Sequence, residues 1–142
     1  MLTRPSAAAL LTALEVLFLL RVAGQLLVVT RRPTWLPAMP EWQSGLLPYP
    51  VLLVSQVVIL GLMTATAALL WSGSTLIPPL RQEYGVPVVA FALVYAGAIA
   101  VRYASRMARR PTERWFGGTI PIAFHLVLAA WLFVLGIYLI GT

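Results

Sequence analysis

The chain has 142 residues, 61% of them hydrophobic and only 10% charged, whereas a soluble domain carries roughly a quarter of its residues as charges, so water is excluded as the solvent for most of its surface. The net charge of +6 rests on Arg alone, since the chain has no Lys, Asp or Asn. Such a balance points to nucleic acid or anionic lipid, and the apolar bulk decides for lipid and against nucleic acid.

Four apolar stretches follow in order, each near the ~20 residues that cross a bilayer. The first runs from about Ala7 to Thr30. Glu15 and Arg21 interrupt it and no small-x-small cleavage site follows, so it reads as a mature helix rather than a signal peptide. The connection from Arg31 to Pro48 is too apolar for an ordinary loop. Trp35, Met39, Trp42 and Leu46 fall at helical spacing, but prolines at 33, 37 and 40 oppose a continuous helix. It is expected to be a Trp-anchored segment lying in the membrane interface.

The second stretch runs from about Pro50 to Trp71, with Pro48 ahead of it. The third runs from about Val86 to Tyr103 and is expected to open at Gly85 and Pro87. Beyond it the helix should run on, placing Arg102, Arg106 and Arg109 on one face. Together with Arg110 and Arg114, these form a candidate surface for anionic lipid headgroups. The fourth runs from about Thr119 to Ile140, opened by Gly117 and Gly118, with Thr119 as N-cap and Pro121 in the first turn.

The expected fold is therefore an all-α integral membrane protein, one antiparallel bundle of four transmembrane helices over residues 1–142. A Trp/Pro-rich interfacial loop joins the first two. The first and third connections hold most of the Arg, which by the positive-inside rule places them in the cytoplasm of a bacterial cell and both termini outside.

Polar side chains within the spans are costly and each needs a reason. Antiparallel threading brings Arg21 and Gln25 of the first span, Gln56 of the second, Arg102 of the third and His125 of the fourth into one half of the bundle, and Arg21 and Gln25 are four apart on one face. Tyr95 is a further polar candidate on the third span. Either these groups bond one another and hold the bundle together, or they line a pocket for an anionic or carbonyl-bearing ligand such as a lipid headgroup or a quinone. Two Arg without a nearby carboxylate leave spare positive charge, which favours an anion. Glu15 lies apart, on a face about 120° from Arg21, as an isolated carboxylate without a cationic partner in this chain. On the third span Ala92, Ala96, Ala100 and Ala104 repeat every four residues beside Gly97, a small-residue ridge for close helix packing, within the bundle or against a second copy or partner.

No metal-ligand spacing, catalytic triad or phosphate-binding Gly loop appears, and the chain lacks Cys, which removes thiolate chemistry and thiolate metal sites. No metal or cofactor is expected; a quinone, or a haem shared between subunits or held by His125 and a Met, stays open as an alternative.

A lone Glu in the first of four helices, Ala13-Leu14-Glu15-Val16, resembles the small multidrug resistance transporters, although Arg21, Arg102 and the long Trp/Pro connection depart from that pattern. Arg32-Pro33-Thr34-Trp35-Leu36-Pro37 is similar to the first loop of the tryptophan-rich sensory family, whose fifth helix and further Trp-rich segments are missing here. Neither family is assigned. Three functions are weighed. The first is a non-catalytic accessory or assembly subunit, partnered by other membrane subunits or by itself. The second is a small oligomeric transporter or amphiphile-binding protein using Glu15 or the Arg/Gln/His cluster, and the third is a redox protein. None commits a residue to a reaction.

Overall fold

In the computed structural model residues 1–42, 47–73, 82–110 and 119–142 are described. Among them the only regular elements are helices: α1 (Arg4–Arg31), a single turn α2 (Met39–Trp42), α3 (Tyr49–Ser72), α4 (Gln82–Arg109) and α5 (Thr119–Ile140). The four long ones are each long and apolar enough to cross a membrane. In lipid a helix satisfies its backbone groups internally, which a loop cannot do. The chain is an all-α four-helix bundle.

The ends follow local chemistry. Thr3 caps α1, its hydroxyl accepting from the Ser6 N–H, and Pro5 occupies the first turn. Pro50 does the same for α3, which stops at Gly73 in the left-handed conformation (φ 64°). The Arg4 guanidinium packs over that glycine, a cation at the negative end of the α3 dipole. Pro121 sits in the first turn of α5.

α4 departs from expectation. It extends past the apolar stretch at both ends, so Gly85 and Pro87 lie inside it rather than opening it. Pro87 falls in the second turn of α4, where the missing N–H forfeits one bond of the ladder, the one to the residue 83 carbonyl. Leu46, Arg81, Arg114, Gly117 and Gly118 lie outside the described residues.

The helices are arranged in the spatial order α3, α1, α5, α4. α1 packs against both α3 and α5, and α5 packs against α1 and α4, while no backbone approach joins α3 to α4. Neighbours are antiparallel. Gln25 meets Gln56 across α1 and α3, Arg21 meets Phe124 across α1 and α5, and Tyr95 meets His125 across α4 and α5. The shared core is built from Ala8, Leu11, Phe18 and Val22 of α1, Met63 and Leu70 of α3, and Trp131, Leu135 and Leu139 of α5.

The α4–α5 seam rests on two glycines. A Cβ at Gly136 would lie 2.7 Å from Val89 Cγ2 and 2.9 Å from the Val89 nitrogen, and one at Gly85 would lie 2.7 Å from the Ile140 nitrogen. On α4 the buried positions are Gly85, Ala92 and Ile99, at seven-residue spacing. The expected alanine ridge follows another path. Ala92 is buried, Ala96 half-buried, and Ala100 and Ala104 exposed, while Gly97 faces open space. A four-residue step advances about 40° beyond a full turn, so the ridge starts in the seam and winds out of it.

Gly136→Ala should therefore lower stability in detergent by about 1–3 kcal/mol, because backbone has to move to admit the methyl group. Gly97→Ala, with open space around it, should be neutral or slightly stabilising. Thermal unfolding of the two variants against wild type checks the contrast.

Candidate functional site

The half of the bundle that holds the Arg31 end of α1, here called the basic end, carries a buried polar cluster. Arg21 is 7% exposed, Gln25 fully buried and Gln56 3% exposed. Arg21 lies about 15 Å up the helix from Arg31 at the usual rise per residue, well inside the span. Its position follows from the α1 stripe. Residues 7, 11, 18, 21, 25 and 28 recur at steps of three, four or seven positions and are all buried, so the face that presents Leu11 and Phe18 to the core also carries Arg21 and Gln25.

The guanidinium is met from outside the long helices. Beyond α1 the chain folds back, and the segment ending in α2 packs on α1 and α5. An Arg21 Nη2–H donates to the Trp42 carbonyl at 3.0 Å, and the guanidinium carbon lies 6.0 Å from the centre of the Phe124 ring, in cation–π range. Trp42 itself is buried over Gly24, where a Cβ would come within 2.7 Å of its ring, and its indole N–H donates to the Pro37 carbonyl. The interfacial expectation for this segment thus divides. Trp35 is 75% exposed, whereas Trp42 is 7% exposed and folded into the bundle; a glycine opposite and a buried cation in need of an acceptor account for the difference.

The cluster is incompletely satisfied. Gln56 Nε2 donates to Gln25 Oε1 at 3.3 Å, and Gln25 Nε2 and Gln56 Oε1 remain buried without partners, as do Arg21 Nε and the Tyr49 hydroxyl. Among the described residues Arg21 pairs with no carboxylate; its contacts there are the carbonyl of Trp42 and the ring of Phe124. A buried polar group left unpaired costs roughly 1–3 kcal/mol, so four such atoms in one region mark a place where acceptors and donors are wanted.

The other candidates separate from this core. His125 is half-buried, with its Nδ1 hydrogen-bonded to the Tyr95 hydroxyl across α4 and α5. Arg102 is exposed. Glu15 is not without a partner, for Thr64 on α3 donates to its carboxylate. Its neighbour across the same seam is the Trp71 indole, which donates to Thr12 Oγ1 at 3.1 Å. At the basic end α4 carries Arg106 and Arg109 in its last turn. Tyr49, Trp42 and Phe124 were missed as members of the buried cluster. Tyr49 could have been found by placing it two helical turns outside Gln56 on the same face of α3, but nothing in the pattern distinguishes Trp42 from Trp35.

Among the described residues no three His, Asp or Glu side chains come together as a metal site. Chemically, Arg21 Nε–H and Gln25 Nε2–H are unused donors and Gln56 Oε1 is an unused acceptor.

If the amides serve only to join α1 and α3, a double-mutant cycle of Gln25→Leu and Gln56→Leu should return a coupling near the ~0.6 kcal/mol average of membrane-buried side-chain bonds, with ~1.7 as the ceiling. Unfolding in detergent of the four members of the cycle measures it. Compared with protein-family models, curated proteins and solved structures, the chain matches none.

Proposed function

We propose that this integral membrane protein binds an amphiphile through an anionic or carbonyl group held at Arg21. The reading rests on one observation: a guanidinium buried within a membrane span, with no carboxylate partner among the described residues and an unused Nε–H, beside two amides that each keep one polar atom without a partner. Intramembrane charge is expensive and tends to mark function. A bound phosphate, carboxylate or quinone carbonyl would accept the idle N–H groups in a setting where such charge-assisted bonds are strong.

In this reading the spare donors are oriented before the ligand arrives. Gln25 is fixed by Gln56, and Arg21 by Trp42 and Phe124. This reading makes the protein a binder rather than a catalyst, because among the described residues the cluster holds no acid–base pair next to Arg21.

A second reading, an accessory subunit of a larger membrane complex, is favoured by the packing order. α3 and α4 form the two ends of the row, with no close backbone approach between them among the described residues, which leaves an edge on each for lateral association. The basic end would face the cytoplasm of a bacterial membrane, with both termini outside, because Arg31, Arg32, Arg102, Arg106, Arg109 and Arg110 gather there.

Native mass spectrometry of gently extracted protein, joined to analysis of an organic extract, tests the first reading. Wild type should carry a defined amphiphile near one equivalent, and Arg21→Gln should lose it by about tenfold or more, the worth of one charged hydrogen bond. Co-purification with other polypeptides and no small molecule would sink the ligand and leave the subunit. Orientation has a separate test, since the chain lacks Cys. A cysteine introduced by Trp35→Cys should react with impermeant maleimide only in inverted vesicles, and one introduced by Thr142→Cys only in intact cells.

A further inference from the structure

The fold-back of the chain after α1 frames a half-open cavity, separate from the Arg21 cluster. It has a volume of about 540 Å³ and lies between the last turns of α1 and the segment that follows. That size is within the ~300–1,000 Å³ of small-molecule sites. Val28 and Val29 line the α1 side, and Leu36 and Met39 face them from the returning segment. The polar side chains on the lining are Arg32 and Thr34, and no acidic residue contributes.

Three features identify what fits. The first is depth. α1 has 28 residues, about 42 Å at the usual rise, which exceeds the ~30 Å hydrocarbon core of a bilayer, so its end reaches the phosphate layer. The second is charge, since Arg32 lies in the lining, Arg31 precedes it, and nothing on the wall neutralises them. The third is the backbone. Arg32 is the only non-glycine residue with positive φ among those described, at 46°, as the C-cap of α1. Gly or Asn adopts that conformation at lower cost, and strain retained in the backbone accompanies functional positions.

We infer that this cavity is a binding site for a phospholipid headgroup, with Arg32 as the ligand of the phosphate, Thr34 as a second donor, and the first acyl carbons lying along Val28 and Val29. The apolar walls select a lipid over a free phosphate, and the guanidinium selects phosphate over a neutral glyceride.

The test is titration of delipidated protein in neutral detergent, followed by native mass spectrometry, with short-chain phosphatidylglycerol as the probe. Wild type should bind one phosphatidylglycerol in preference to diacylglycerol of the same chains and to glycerol phosphate alone. Arg32→Asn removes the charge while suiting the left-handed backbone, and should weaken binding about tenfold, as expected for one charge-assisted hydrogen bond. Arg31→Asn removes the same charge from outside the lining and should leave affinity within about twofold, since it acts only through screened surface electrostatics. Ala38→Phe, which fills the cavity without touching charge, should also weaken binding, and it remains informative if Arg32→Asn misfolds. Arg21→Gln should change nothing here, which separates this site from the buried one. Equal losses for Arg31→Asn and Arg32→Asn would reduce the effect to diffuse charge and overturn the site. Equal binding of diacylglycerol would remove phosphate from the recognition, and glycerol phosphate binding as tightly as the lipid would reassign the cavity to a soluble phosphate compound.

Discussion

A guanidinium buried inside a membrane span has to be given an acceptor, and here it comes from the backbone carbonyl of Trp42. That single requirement shapes the basic half of the molecule. To reach Arg21, the chain leaving α1 turns back rather than crossing directly to α3. Turning back needs the left-handed residue at position 32, the proline-interrupted course through residues 33–40 and a place for the Trp42 indole, which Gly24 provides by having no side chain. The cavity beneath the returning segment is a by-product of the same path.

The three interhelical seams are made differently. α1 and α3 are cross-linked by side-chain hydrogen bonds at three levels, Thr12 with Trp71, Glu15 with Thr64 and Gln25 with Gln56. α1 and α5 share the apolar core of Leu11, Phe18, Trp131 and Leu135. α4 and α5 approach through Gly85 and Gly136, with Tyr95 and His125 bonded further along. Lipid offers no hydrophobic drive toward association, so close packing and polar bonds between helices have to provide it. Each seam draws on one or both.

The fold was open to reading because its cause is local. Four stretches of suitable length and apolarity have one solution in a bilayer, and Pro50 and Pro121 stand in the first turns of α3 and α5. The convergence of Arg21, Gln25 and Gln56 also follows from counting residues along antiparallel helices. What the chain did not reveal depends on rotation and on nonlocal partners. A small-residue ridge at four-residue spacing looks like a packing face until the drift per step is compared with the partner's path, and Ala100 and Ala104 then emerge from the seam. Glu15 looks isolated because its partner Thr64 is an unremarkable residue on another helix. Trp35 and Trp42 have similar local surroundings, and only the glycine and the cation they meet, or do not meet, tell them apart. Pro87 marks a helix start in most sequences, yet here the helix begins a turn earlier.

The packing order also bears on how the chain is assembled. α1 with α3, and α4 with α5, are sequence-adjacent antiparallel hairpins, each closed by its own contacts, and α3 and α4 are consecutive without being neighbours. The two hairpins meet along the α1–α5 seam, with the α2 turn also resting on α5. Membrane insertion can therefore complete two hairpins independently before they dock, the economical course when distant contacts cost more chain entropy than near ones. The protein is in effect a heterodimer of two hairpins written as one polypeptide, and residues 74–81 are its only covalent tether.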